Sequence, residues 1–306
     1  MPFSDDVRGE LAAIAPARDC DRLAELSALV QYAGRLHLLG RGAVSLHLDL
    51  ASAGVARRAF ALLRAFGVSS EIRTYRRHAF GRETRYQLHV EGGPRALELL
   101  EQAGVVDARH VPRERTPKRV LSRSCCRAAF LRGALLAAGS VSPPPSPHLE
   151  IRSESRSGAE AIAAAAATEG AELRVVERGD HALAYAKGID RIAGVLATAG
   201  ANDAALVLQE RAVLGATKAR ANRLANADHA NLVRAGRAAH VQLDAVRRLE
   251  RARRLDELAP PLREIAQLRL KHPSLSLREL GTKCSPAASK ATAHRRLTAV
   301  VRIAKR

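Results

Sequence analysis

From Val44 to Leu50 the apolar side chains fall on every second residue, with Ser45, His47 and Asp49 between them. That spacing predicts a strand with one buried and one wet face. It reads as the second arm of a hairpin over residues 35–50, turned at Gly40-Arg41-Gly42. Helical spacing follows over 52–66, where Val55, Phe60, Leu62, Leu63 and Phe66 share a face and Gly67 ends the run. A second hairpin, from about 70 to 90, and a helix over 94–103 close this half. Ahead of it, Ser4 is placed to cap a first helix carrying Asp5, Asp6, Glu10, Leu11 and Ile14, which Pro16 stops. The same order recurs after residue 124: Leu149 and Ile151 alternate with Glu150 and Arg152, an alanine-rich helix covers 159–168, strands lie near 172–177 and 181–186, and a helix spans 189–198. Ser142-Pro143-Pro144-Pro145-Ser146-Pro147 interrupts that half as a stiff exposed loop, because proline has no N–H to donate to a ladder. Residues 107–123, rich in Arg, Lys and Pro, read as the connection between the halves.

Two nine-residue stretches organise these halves. Leu26-Ser-Ala-Leu-Val-Gln-Tyr-Ala-Gly34 and Leu131-Arg-Gly-Ala-Leu-Leu-Ala-Ala-Gly139 are offset by 105 residues, and the same offset carries Cys20 onto Cys125 and Arg22 onto Arg127. Each places small residues along a short apolar helix (Ala24, Ser27 and Ala28; Ala128, Ala129, Gly133 and Ala134), so the two helices are expected to pack closely on each other. The pattern resembles the LAGLIDADG helix of homing endonucleases. That resemblance implies a pseudo-symmetric pair of αββαββα units whose acidic residue before the last glycine binds a catalytic metal. Here Ala33 and Ala138 stand at those positions. A methyl group cannot ligate Mg²⁺, so no nuclease activity, no metal and no cofactor are expected.

Beyond residue 202 the pattern turns helical and basic, with Val241, Ala245, Val246 and Leu249 at helical spacing. This segment reads either as a solvated helical linker or, through Arg220-x-Asn222-Arg223-x-x-Asn226-x-Asp228-x-x-Asn231, as caps, turns or ligand contacts, since Asn is a poor interior helix former. Three helical pieces follow. Leu262, Ile265, Leu268 and Leu270 face inward in the first; Ser276 and Glu279 form a capping box for the second; and Ser289 caps a third that carries Lys290, Thr292, His294, Arg295, Arg296 and Arg302 outward. This is a helix-turn-helix pattern with a basic third helix. The expected class is therefore α+β: a tandem αββαββα domain (first half 1–112, second half 113–205), a linker over 206–220, and an all-α helix-turn-helix domain over 221–306.

Charge sharpens the picture. The 50 Lys and Arg against 31 Asp and Glu leave a formal charge of +19, which points to a polyanionic partner, and residues 261–306 alone carry +9. General abundance of Arg and Ala accounts for part of the total and leaves the local clustering standing. Four cysteines form no CxxC pair, vicinal Cys125-Cys126 is poor disulfide or zinc geometry, and all four read as small buried hydrophobes. No signal peptide and no long apolar run is apparent, so a cytoplasmic, nucleoid-associated protein without membrane contact is expected. The LAGLIDADG-like pair without its acids, the stretch Cys20-Asp-Arg-Leu-Ala-Glu-Leu26, Cys125-Cys126-Arg127, the Asn/Arg segment and the terminal Leu262-Arg-Glu-Ile265 to His294-Arg295 together resemble the WhiA family of sporulation and cell-division regulators. The resemblance implies a transcription factor on double-stranded DNA, with a WhiB-type iron–sulfur protein as partner. Candidate DNA-binding residues are Lys290, Thr292, His294, Arg295 and Arg296 on the third helix, Arg220, Arg223 and Asn226 in the amide-rich segment, and Arg73, Arg77 and Arg85 on the first basic hairpin. For that hairpin, which also holds Arg76 and Arg82, a solvated strand face is the competing reading. His37, His47 and His89 have no metal-binding spacing. A residual endonuclease and a protein-interaction scaffold are the rival functions.

Overall fold

The computed structural model describes residues 3–40, 43–77 and 83–305. Its contacts divide the chain into two units, Met1–Ala216 and Thr217–Arg306. The first begins with α1 (Phe3–Ala13), followed by α2 (Asp19–Ala33), β1 (Gly34–Gly40), β2 (Ala43–Leu50), α3 (Ala53–Ala65), β3 (Glu71–Arg77), β4 (Glu83–Glu91) and α4 (Pro94–Gln102). The order then repeats as α5 (Ser124–Ala138), β5 (Gly139–Ser142), β6 (His148–Ser153), α6 (Arg156–Thr168), β7 (Arg174–Arg178), β8 (His181–Lys187) and α7 (Ile189–Ala199). Each repeat makes one antiparallel sheet, of order β1-β2-β4-β3 and β5-β6-β8-β7. The offset of 105 residues carries α2 onto α5 end for end.

Alpha-helices α2 and α5 pack along their small residues at the centre of one shared core. Gly133 sets their approach: a Cβ there would fall against the Glu25 carbonyl oxygen and 2.9 Å from the Ala28 methyl. Leu46, Leu48 and Leu50 are fully buried beneath the first sheet, as the alternation predicts; the side chain of Val44 and the turn at Arg41-Gly42 lie outside the described residues. Buried within this packing is an ionic group that periodicity does not announce. Glu25, completely inaccessible, accepts hydrogen bonds from Arg58 at 2.6 and 3.0 Å and from Arg132 at 2.8 Å.

Several expectations need correction. Ser4 does not cap α1. Its hydroxyl sits at 2.8 and 2.7 Å from the carbonyl and amide of Val141, satisfying the free edge of β5. The alanine-rich helix begins at Arg156, before residue 159, because Ser155 caps it by accepting from the Gly158 amide at 3.1 Å. The connection over 107–123 is not idle chain: Thr116 is buried against α2, 2.5 Å from Gln31 Oε1. Glu10 caps the next helix, α8 (Asn202–Arg251), accepting from the amides of Asp203 and Ala204 at 2.9 Å each.

In the second unit, a 3₁₀ turn (Leu255–Glu257) leads to α9 (Pro260–Lys271), α10 (Leu277–Thr282) and α11 (Lys290–Ile303). Ile265, Leu280, Cys284, Ala293 and Leu297 form one core cluster of this trihelical module. A second joins Val246 and Leu249 of α8 to Leu258, Ala266 and Val300. The last turns of α8 are therefore part of the module's core, with Ala245 buried and Val241 exposed. Arg269 is buried, with no carboxylate partner among the described residues. It donates to the carbonyls of Pro273 and Leu275 and to Gln242 Oε1, at 3.2, 2.7 and 2.9 Å, and burial holds its pKa below the usual guanidinium range. The amide-rich segment lies in the interior of α8 and is exposed throughout, so Asn222, Asn226 and Asn231 are neither caps nor turns. No helix among the described residues is long and apolar enough to cross a membrane.

Candidate nucleic-acid interface

Helix α11 starts where Ser289 accepts from the Thr292 amide at 3.1 Å, and α10 is held by the capping box between Ser276 and Glu279. With Ala293, Leu297 and Val300 inward, Lys290, His294 and Arg295 are exposed, and so are Thr298 and Arg302. Two expected members depart from this face. Thr292 is half-buried, with its hydroxyl 3.0 Å from Ser289 Oγ. Arg296 retains only 21% side-chain exposure and turns to Glu264 of α9, 3.8 Å away. At about 100° per residue Arg296 sits far round the helix from Arg295, so residues adjacent in sequence have different surroundings. Thr298 was missed, though its spacing of four from His294 marks the same face.

Residues Arg220, Arg223 and Asn226 are all exposed on α8, spread over about a third of its circumference. On the first sheet, the strand register puts Arg73 opposite Gln87 and Tyr75 opposite Arg85, on the same outward face as His47 and Asp49. These arginines are engaged. Arg73 donates to Glu71 at 2.8 Å, while Arg85 and Tyr75 reach the two oxygens of Asp49 at 3.3 and 2.9 Å. Asp49 and Glu71 thus reduce the positive potential that the arginine count suggests. The backbone register sets Arg77 opposite Glu83; the Arg77 side chain and Arg82 lie outside the described residues. His37, His47 and His89 lie in a row across this face, their rings tilted by 52° with centroids 4.8 and 4.6 Å apart. Burial, and then His89, His37 and Arg73 nearby, hold the His47 pKa below its usual value. A cleft of about 470 Å³ opens there, lined by Arg35, His37, His47, Asp49, Tyr75 and Gln87.

The second sheet differs. Ala184 and Ala186 point into the core and Leu183 is only 4% exposed. Two of its outward arginines are matched with acids, Arg152 with Asp180 and Arg178 with Glu150, each at 3.9 Å. Where α2 and α5 end, Ala33 and Ala138 line a cleft of about 380 Å³ with Arg35, Arg85, Arg152, Asp49 and Glu154. Its two carboxylates come from strand and loop, and Asp49 is already held by Arg85 and Tyr75. At the opposite ends of the same helices three of the four cysteines meet; Cys126 and Cys284 are buried, as their reading as small hydrophobes expects, whereas Cys20 and Cys125 are only half-buried. Cys20, Asp21, Cys125 and Cys126 have their ligand atoms within 4.8 Å of one another, and only Cys126 is fully buried. Burial, with hydrogen bonds to Cys20 and Cys125, pushes the Cys126 thiol up to about 12.

Models of known families match this chain in three parts: a WhiA N-terminal LAGLIDADG-like domain over residues 19–106, a WhiA LAGLIDADG-like domain over 127–218, and a WhiA C-terminal helix-turn-helix domain over 221–304. A probable cell division protein WhiA of Symbiobacterium thermophilum is 37% identical over 99% of this chain and 98% of its own length. Its counterpart in Heliobacterium modesticaldum is 33% identical over 97% and 94%. The crystal structure of full-length WhiA from Thermotoga maritima superposes with a TM-score of 0.59 at 21% identity, covering 100% of this chain and 98% of that one, which supports the shared fold. The chain belongs to the WhiA family.

Proposed function

We propose that this protein is a sequence-specific, double-stranded-DNA-binding regulator of bacterial cell division and sporulation, acting on the nucleoid and in chromosome segregation, and that it does not cut DNA. The observation that carries the reading is the exposed face of α11, where a capped basic helix projects Lys290, His294, Arg295, Thr298 and Arg302 from a trihelical core. A helix of this kind fits the major groove, with its N-terminal residues at base edges and its later arginines on phosphates. Arg220, Arg223 and Asn226 supply further contacts from α8 in this reading, and Arg73, Arg77 and Arg85 add only weak, sequence-independent attraction. The names of the relatives support a role in cell division. Alanine at positions 33 and 138 supports the absence of nuclease chemistry, since no carboxylate stands there to clamp a metal. A WhiB-type iron–sulfur partner rests on the family resemblance alone.

Selection from a random duplex library tests this. The full-length protein should enrich one motif, a Lys290→Ala/His294→Ala variant should lose the preference while keeping its fold, and supercoiled plasmid should stay uncut in Mg²⁺ or Mn²⁺. Enrichment of the same motif by the variant would move the reading surface elsewhere, and metal-dependent cleavage would restore the endonuclease alternative.

A further inference from the structure

The two central helices share both of their ends. At the C-terminal ends lies the alanine-lined cleft; at the N-terminal ends four potential ligands converge. Their arrangement follows from the repeat. The 105-residue offset maps Cys20 onto Cys125 and Asp21 onto Cys126, so the cluster consists of two adjacent pairs related by the pseudo-symmetry of the fold. Two such pairs facing each other across a twofold axis are the geometry of a tetrahedron. With Zn–S bonds of about 2.3 Å, a tetrahedral site needs sulfur atoms roughly 3.8 Å apart. The Cys125 and Cys126 sulfurs are 4.0 Å apart, and the Cys20 sulfur lies 3.5 Å from Asp21 Oδ1. All four ligand atoms lie within 4.8 Å of one another, so a contraction of at most about 1 Å brings the set to bonding geometry.

The donor chemistry and the surrounding charge agree. Three soft thiolates favour zinc-type ions over magnesium or calcium. Three thiolates and a carboxylate around a dication leave a net negative site, and all four residues belong to the first turns of α2 and α5, where the N-terminal end of a helix favours negative charge. Arg18 adds a cation, with Nη1 3.8 Å from Cys125 Sγ. The cysteines are free of disulfides.

We propose that Cys20, Asp21, Cys125 and Cys126 form a structural metal site for one zinc-type divalent ion, which staples the two repeats at the N-terminal end of their central interface. The sequence spacing conceals it, because no single segment carries a zinc motif; only the packing of α2 on α5 joins the pairs.

The test uses the full-length protein, reduced and stripped with chelator, and titrated with Co²⁺ as a spectroscopic probe. One equivalent should bind with thiolate charge-transfer absorption and the intense visible bands of a tetrahedral ion, and Zn²⁺ should displace it. Cys284→Ser should leave the spectrum unchanged. Cys20→Ser and Cys126→Ser should weaken binding by more than the roughly 10–100-fold cost of losing an outer hydrogen-bonding neighbour. Asp21→Cys, which gives the first repeat a vicinal pair matching that of the second, should strengthen the charge-transfer band, and it keeps the question answerable if a serine variant folds poorly. Zn²⁺ should raise the melting temperature of the wild type and not that of Cys20→Ser. Reduced protein that takes up no cobalt, or the same tetrahedral thiolate spectrum in a Cys20→Ser/Cys125→Ser variant, overturns the proposal.

Discussion

Single side chains in this protein divide according to what they face, and neighbours in sequence can have different surroundings. Arg295 is exposed on α11, whereas Arg296 is drawn to Glu264, whose other oxygen accepts the Ser285 amide at 2.5 Å. Replacing Arg295 with Ala should therefore flatten the dependence of log K on log salt by about 0.9, the contribution of one phosphate contact. Arg296→Ala should leave that slope nearly unchanged and lower the melting temperature of the second unit, because it removes a half-buried ion pair between α9 and α11. Titrations of DNA affinity across salt, with calorimetry on each variant, separate the two. A second residue-scale prediction concerns His47. Its folded pKa lies below the ordinary 6.5 through burial and the nearby His89, His37 and Arg73. In the window below 6.5 the unfolded chain binds more protons than the folded one, so stability is full above that pH and is lost as pH falls through the window. The cleft beside it also holds Arg35 and Asp49, the latter fixed by Arg85. Melting curves from pH 8 to pH 5 should fall less steeply for His47→Gln than for the wild type; parallel curves would place the acid sensitivity on another group.

Among the elements, the contact of α2 with α5 concentrates the fold's most demanding packing. Glu25 answers two arginines in a fully buried site, so Glu25→Gln would leave two guanidinium charges without a counter-charge. Breaking such a group typically costs about 3–5 kcal/mol, measurable by urea unfolding. Gly133→Ala places a methyl against the Glu25 carbonyl and should cost on the order of 1–3 kcal/mol. At Gly194 of α7 an added methyl would meet nothing within 4 Å, so Gly194→Ala should be neutral or stabilising and serves as the control. At this scale much was legible from the chain alone. The repeat, the strand alternation at Leu46, Leu48 and Leu50, and the capping box at Ser276 all depend on local spacing, and each stands where spacing places it. What was hidden depends on contacts between distant segments. The Glu25 triad, the Ser4 bond to β5 and the meeting of Cys20 with Cys125 join residues more than a hundred positions apart, and Asp49 and Glu71 tie up arginines that a one-dimensional charge count leaves free.

On the scale of the whole molecule, the central question is which unit reads DNA, and the cores supply an argument. The large core is built from residues Phe3 to Leu208, while the terminal clusters draw on Val246 to Ala304, so each unit closes its own apolar interior. The boundary between Ala216 and Thr217 falls within α8, in a stretch whose side chains are mostly exposed. Cutting there breaks helical hydrogen bonds and little packing, so both fragments should unfold cooperatively. Their DNA binding should differ in kind. The second unit holds α11 with its free basic face, together with Arg220, Arg223 and Asn226. In the first unit, Arg73, Arg85, Arg152 and Arg178 all have acidic neighbours, and such pairing lowers the counterion release that drives binding to a duplex. Fragment 217–306 should therefore retain the motif preference of the full chain with a steep salt dependence, whereas fragment 1–216 should bind weakly and without preference. Because the end of α8 contributes Val246 and Leu249 to the terminal core, a shorter fragment beginning at residue 255 should lose both fold and binding. Measuring the three fragments by thermal unfolding and by library selection decides the assignment. Tight, motif-selective binding by fragment 1–216 would mean that the ion pairs on its sheets open on the duplex, and that the sheet face, not α11, reads the sequence.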